Sequence, residues 1–399
     1  MDVLVVGAGL GGLAAAVALG RAGHRVTVLE RAPALRETGS GLGVMPNGVL
    51  ALDALGVGGP VREWALPAGV GGGTRDRHGR MLLTVDWAAI ERAAGAPLCV
   101  VPRQWLHRLL ADALPADSVR TGVEVTGLRS APAGGPGPGP DPGPGSGSRP
   151  GAGSGRVGVT GPGTDGLGPA DLVVAADGNA SRLRRVLFPN HPGLAGSGEI
   201  AARGVVAAAP PGIVAGELLD RRTGDRMGIQ PMTGGAAYWY ATWRADDAGR
   251  DPGDVLRRLR TDRADWDPYV AALLAATDPA DVHVDETTQL VRPLPALVSG
   301  RVALLGDAAH AMTPDLGQGA CQAFEDAVAL AEVLAGDVPA ALRAYDERRR
   351  PPTSALQAQA RRMQRLLTLR GPAGRARDLA LRAVPATLAT RGFLAQLRG

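Results

Sequence analysis

Asp2-Val3-Leu4-Val5-Val6 is a short, near-continuous apolar run of the kind a buried parallel strand shows, and it ends in Gly7-Ala8-Gly9-Leu10-Gly11-Gly12. An Ala/Leu/Val stretch then reaches Ala22, Gly23 stops it, Arg25 to Leu29 supplies a second β-branched run, and Glu30 stands at its end. Strand, tight turn, helix, strand is a βαβ unit. In such a unit Gly7 permits the turn, Gly9 lets bare backbone approach a pyrophosphate, and Gly12 allows close helix–strand packing. The phosphate sits on the positive helix end that Leu10 opens. The letters alone are weak evidence, because the same spacing recurs at Gly153 and Gly161, where no helix follows.

Glu30 lies 18 residues beyond Gly12, where a carboxylate accepts from adenosine ribose hydroxyls and repels a 2′-phosphate. FAD or NAD therefore fits better than NADP; a plain helix–sheet turn with a surface glutamate is the alternative. Arg31 beside it is a solvated or adenine-stacking residue. Leu172 to Ala176 ends at Asp177-Gly178 and Val302 to Leu305 ends at Gly306-Asp307, which predicts one parallel sheet assembled from distant segments. Glu199 to Val291, with Ala236 to Trp243 as its clearest strand, reads as an inserted unit with its own sheet. Val119 to Leu128 and Arg156 to Thr160 read as strands joined by a loop, 131–155, in which 17 of 25 residues are Gly or Pro. After Val338 the chain reads as helical, with a break at Pro351-Pro352 and loops at Gly371 and Pro385.

The 399 residues, 45% hydrophobic, exclude a disulfide-stapled module and a wholly disordered chain. All 43 basic residues are Arg, scattered without aromatic interleaving at a net charge of +4, so nucleic acid is not an expected partner. Cys99 and Cys321 are far apart and form no CxxC, which argues against a metal cluster and fits a reducing cytoplasm. The first apolar run lacks a positive n-region and is cut by glycines, so neither a signal peptide nor a membrane span is expected.

Gly306-Asp307-Ala308-Ala309-His310 followed by Pro314-Asp315-Leu316-Gly317-Gln318-Gly319-Ala320 separates FAD from NAD. With the first βαβ unit, Gly39 to Asn47, Pro102-Arg103 and Asp177-Gly178 with Ser181 and Arg182, the chain resembles the flavin-dependent aromatic hydroxylases. These are the single-component FAD monooxygenases typified by p-hydroxybenzoate hydroxylase, and the likeness is to the salicylate and urate hydroxylase branch. The resemblance implies that Asp307, after Gly306, holds the flavin ribitol, and that Pro314, Gly317, Gln318, Gly319 and Ala320 present backbone to the isoalloxazine. It places Gly43 and Arg103 against the flavin, and Asp177, Gly178 and Arg182 in pyrophosphate and NAD(P)H handling. An exposed helix-start arginine is the alternative for Arg103. His310 reads as a loop-fixing side chain rather than a base, and the other five histidines carry no role.

The resemblance further implies that NADH or NADPH reduces FAD, that O₂ adds to give a flavin 4a-hydroperoxide, and that oxygen passes to an aromatic or polycyclic small molecule by hydroxylation or epoxidation, with secondary metabolism as the setting. An FAD dehydrogenase or oxidase on the same scaffold, and a non-catalytic binding protein like the GDP-dissociation inhibitors, are the competing hypotheses. Neither metal nor membrane is implied; the expected state is a monomer or homodimer.

Period-two alternation puts Tyr238 and Tyr240 on one face and Trp239 and Trp243 on the other. Arg203, Arg226 and Tyr238 are the candidate substrate-contacting, catalytic residues, since guanidinium binds planar anions bidentately. Surface salt bridging and core packing are their alternatives. The family's aromatics before Arg203 are absent here, which points to an altered pocket. The expected architecture is α/β: a Rossmann-type FAD-binding domain in three parts (1–70, 101–185, 291–335), an inserted β-sheet substrate domain in two (71–100, 186–290), and C-terminal helices (336–399).

Overall fold

The structure, a computed structural model, describes residues 1–35, 40–67, 70, 72–131, 155–245 and 249–397. Gly39, Gly153 and all but the ends of loop 131–155 lie outside them. A six-stranded sheet runs in the order Val298–Ser299, Val302–Leu304, Leu172–Ala175, Asp2–Val6, Arg25–Glu30, Val119–Thr121, parallel except at the Val298–Ser299 edge. The central strands are apolar because helices cover them: Val3 to Val6 and Leu172 to Ala175 are all buried. Each such Val or Leu contributes about 1.5–3 kcal/mol over leaving it in water.

The helix Leu10–Arg21 packs on the helix Gly319–Val333. A Cβ on Gly11 would lie 3.0 Å from Leu305 Cδ2 and 3.1 Å from Ala323 Cβ, so this small residue sets their approach. A Cβ on Gly12 would fall 1.9 Å from the Gly7 carbonyl oxygen. At Gly161 the spacing is a turn with φ +140° and opens no helix.

A seven-stranded sheet runs His283–Leu290, Leu194–Val206, Ala237–Arg244, Arg226–Pro231, Gly216–Leu219, Gly73–Asp76, Met81–Leu83. The helices Pro252–Asp262 and Pro268–Ala276 cover one face, where Trp239 and Trp243 are buried and Trp239 Nε1 donates to Thr277 Oγ1 at 3.0 Å. Tyr238 and Tyr240 lie on the opposite face with ring centroids 6.3 Å apart.

Two local expectations are corrected. The run Val119 to Leu128 is two strands, Val119–Thr121 and Gly127–Ala131, because Gly122 takes φ +71° and Val123 N–H turns to the Glu30 carbonyl. Pro351-Pro352 breaks nothing: one helix spans Val338–Leu367 through both prolines. Two prolines cost a helix on the order of 3 kcal/mol each. Burial of Leu342, Tyr345, Arg349, Thr353, Leu356 and Ala360 on one continuous face outweighs that, and Tyr345 Oη donates to the Leu304 carbonyl at 2.9 Å. Among the described residues no helix is long and apolar enough to cross a membrane.

Candidate functional site

Where the parallel strands end, Gly7, Gly9, Glu30, Arg31, Arg103, Asp177, Gly178 and Arg182 converge on one cleft of about 370 Å³. Leu10 and Gly12 stand behind it, Leu10 with its side chain in the core. Gly7 has φ +103° and its N–H reaches the Leu29 carbonyl, which turns the chain sharply after its strand. Glu30 accepts from Ala8 N–H at 2.9 Å and Ala32 N–H at 2.8 Å, tying the glycine loop to the second strand. Asp177 Oδ2 caps the helix Arg182–Leu187 through the N–H groups of Arg182 and Leu183; its Oδ1 is buried without a partner. Arg182 pairs with Glu124 at 2.8 Å.

Two residues given no role from sequence organise this cleft. His107 Nε2 is 2.7 Å from the Ala8 carbonyl oxygen and anchors the glycine loop to the helix Arg103–Asp112. Arg184, buried, donates to the carbonyls of Asp307 (3.2 Å), Ala308 (3.0 Å) and Asn179, so one guanidinium links the Asp177 turn to the Asp307 turn. Both partnerships join segments far apart in the chain, so no local pattern in the sequence marks either residue.

Gly306 has φ +61° and opens the short helix Asp307–His310, leaving Asp307 exposed and within the field of Arg103, which also feels Arg203 and Asp285. Behind it Asp326, fully buried, accepts from Gly306 N–H (3.0 Å), His310 Nε2 (2.6 Å) and Arg349 Nε (2.7 Å). Burial alone would raise its proton affinity, but His310 and Arg349 hold the carboxyl down at about 2. His310 thus fixes the loop. The chain then passes Pro314 and turns at Gly317 (φ +63°) into the helix Gly319–Val333, which starts with no side-chain cap. Gln318 itself is buried, its amide bonded to Asn47 and Gln322, so only its backbone faces outward chemistry; Ala320 is half-buried. Gly317 packs on Met45, next to the strand Gly41–Val44 that carries Gly43.

On the tyrosine face, a Cβ on Gly41 would lie 2.4 Å from Tyr238 Cγ, so the phenol ring rests on bare backbone. Burial pushes the Tyr238 phenol up, with Arg203 partly opposing. Arg203 is half-buried and donates to Asp285 Oδ2 at 3.2 Å. Arg226 stands elsewhere on this face. Its guanidinium is buried against Glu199 (3.2 Å), Glu217 (3.5 Å) and Asp315 (2.7 Å), so its charge is taken up inside the protein, and Asp315 belongs to the Pro314–Leu316 turn. Tyr240 Oη donates to Glu217 at 3.0 Å.

A family model described as an FAD binding domain matches residues 1–134 and 161–360. The chain belongs to that family. It is 34% identical over 364 residues to the FAD-dependent urate hydroxylase of Klebsiella pneumoniae subsp. pneumoniae, covering 88% of this chain and 86% of the relative. It is 33% identical over 352 residues to the aurachin C monooxygenase/isomerase of Stigmatella aurantiaca, covering 86% and 84%. The solved structure of Klebsiella pneumoniae HpxO with FAD and uric acid superposes with a TM-score of 0.84 at 30% identity, covering 100% of this chain and 97% of that one. The chain is thus a member of the FAD-dependent aromatic hydroxylases, with their α/β fold.

The residues present fit the family's flavin. Two helices, Leu10–Arg21 and Gly319–Val333, begin uncapped, leaving first-turn N–H groups for an acceptor. The places a Cβ would occupy on Gly9, Gly43, Gly178 and Gly319 have no atom within 4 Å, and Asp177 Oδ1 awaits a donor. One bonded framework carries the predicted glycines and aspartates. Arg226 touches it only through Asp315, its guanidinium consumed by the ion cluster, and Tyr238 with Arg203 faces it across Gly41.

Proposed function

We propose that this chain is an NAD(P)H-dependent FAD monooxygenase that places one atom of O₂ on an electron-rich aromatic or polycyclic small molecule bearing an acidic oxygen, by hydroxylation or epoxidation. The observation that carries this reading is the pairing of a cradle built on two uncapped helices with a buried tyrosine face that holds a half-buried arginine. In this reading Gly7, Gly9 and Leu10 hold the pyrophosphate over the Gly12 contact, Glu30 takes the ribose hydroxyls and Arg31 borders the adenine. Asp177, Gly178 and Arg182 close the cleft, Gly306 and Asp307 take the ribitol, and Gly43 and Arg103 border the ring. Backbone from Pro314 through Gly317, Gln318, Gly319 and Ala320 meets the pyrimidine edge.

FAD, when bound, supplies the redox chemistry, accepting hydride from the nicotinamide and passing one oxygen atom to the substrate. The protein supplies placement and charge. The positive start of Gly319–Val333 stabilises negative charge beside it. Arg203, oriented by Asp285, receives the anionic oxygen of the substrate. Tyr238, kept neutral by burial, donates a hydrogen bond rather than standing as a phenolate. Arg226 positions: it draws Asp315, and with it the flavin-side turn, against the sheet.

The test is substrate-stimulated oxidation of NADH and of NADPH by the purified yellow protein over phenols, aromatic acids and polycyclic metabolites, with products identified by mass. A product heavier by one oxygen is expected. R203Q should lower kcat/KM by about 10–100-fold, the loss of one charge-assisted hydrogen bond. Peroxide release with no oxygenated product would make the chain an oxidase and overturn the proposal.

A further inference from the structure

At the far end of the seven-stranded sheet lies a second cleft, about 460 Å³, that shares no lining residue with the first. Its floor is the irregular stretch Ser197–Glu199, the strand end at Arg244, and Gln289; its wall is the long helix. Arg361, Gln364 and Arg365 stand at i, i+3 and i+4 on one face of that helix, Thr368 caps its C-terminal end, and Arg370 follows. Four arginines therefore meet in one concavity. Among the described residues the only carboxylate lining it is Glu199, which is already held by Arg226 at 3.2 Å and by Gln364 Nε2 at 2.6 Å.

An Arg-rich chain has many arginines at its surface, and several of them find an acid: Arg182 with Glu124, Arg222 with Asp220, Arg348 with Glu332, Arg350 with Asp346. Arg244, Arg365 and Arg370 make no ion pair among the described residues. Arg361 spends one N–H on the Leu290 carbonyl, while burial and the like charge of Arg365 weaken its hold on its proton. Gln289 adds an amide whose buried Oε1 has no partner, and rotation about its last side-chain bond turns the NH₂ toward a ligand. Converging cations with no counter-charge are unfavourable until an anion enters, and guanidinium forks match phosphate oxygens.

We propose that this cleft binds a phosphate-bearing small molecule, with Arg361 and Arg365 as its main ligands and Arg244 and Arg370 at its rim. The volume is that of a small-ligand site, and the proposal stands whether or not the flavin reading does. The probe is inorganic pyrophosphate, titrated calorimetrically into the full-length protein carrying whatever flavin it retains. Saturable 1:1 binding with a Kd below about 1 mM is expected. R361Q/R365Q should weaken it at least ~10-fold, whereas R348Q on the same helix, which removes one positive charge outside the cleft, should leave it within about 2-fold. Should R361Q/R365Q fail to fold, the exposed pair R244Q/R370Q is read the same way. No saturable binding up to about 10 mM, or an equal loss in R348Q, overturns the site.

Discussion

Replacing Arg226 by Gln tests the ion cluster that ties the sheet to the Pro314–Leu316 turn. In the native protein one buried guanidinium faces Glu199, Glu217 and Asp315; burial would weaken its proton affinity, but the three carboxylates raise it. Burial pushes Glu217 up, with Arg226 and Tyr240 opposing, so Glu217 disfavours folding as pH rises above its ordinary 4.5. Removing one member of a buried pair costs about 3–5 kcal/mol, because charges are left behind without a partner. Unfolding entropy near 2.1 cal/mol/K per residue makes that a Tm loss of about 4–6 °C for a chain of this length. The loss should grow between pH 6 and pH 8, as the orphaned carboxyl groups are forced to ionise, and E217Q/R226Q should regain part of it. Scanning calorimetry at the two pH values, with flavin content measured on the same samples, reads all three. A Tm within 1 °C of the parent at pH 8, or a loss that ignores pH, would refute the argument that Arg226 is spent on buried carboxylates.

Gly12→Ala should destabilise the apo-protein by at least ~1–3 kcal/mol, since its Cβ would sit 1.9 Å from the Gly7 carbonyl oxygen, while Gly9→Ala, with open space at that position, should leave the apo Tm unchanged and lower retained flavin. Equal effects on both would remove the distinction between a packing glycine and a ligand-facing one. Asp326, held near 2 against an ordinary 3.8, contributes stability that is present above pH 4 and lost as pH falls from about 4 to about 2; the gap between parent and D326N in urea melts should narrow by roughly 2 kcal/mol over that window. Ala131 and Arg156 pair directly across the hairpin, so replacing 132–155 by Asn-Gly should close it with a two-residue turn; purification of the shortened chain without flavin would contradict this.

What the sequence disclosed is what neighbouring residues encode. Strand, glycine turn and helix at Asp2 to Arg21, the Gly/Asp strand ends at Asp177 and Asp307, and the two faces of Ala237–Arg244 each follow from a period or a backbone requirement within about twenty residues. Pro351-Pro352 was misread for the same reason: the local penalty is real, but the face that repays it is set by Phe324, Asp326 and Leu304 on other elements.

Arginine shows the boundary most sharply. Composition gives 43 of them and assigns none. Arg226 looked like a substrate ligand because it sits on a strand near a predicted pocket, yet its partners lie 27, 9 and 89 positions away and consume it. Arg184 carries no role from the sequence, yet it joins the Asp177 turn to the Asp307 turn. Arg361 and Arg365 lie in a stretch that the sequence marks only as helical, and they share a cleft whose only lining carboxylate among the described residues is already taken. A guanidinium carries the same charge in all these places; what it does depends on how many carboxylates the fold brings to it. Three carboxylates make Arg226 an internal strut, one orients Arg203 toward the place proposed for a substrate anion, and among the described residues none pairs with Arg361 or Arg365, which is what the proposed phosphate site rests on.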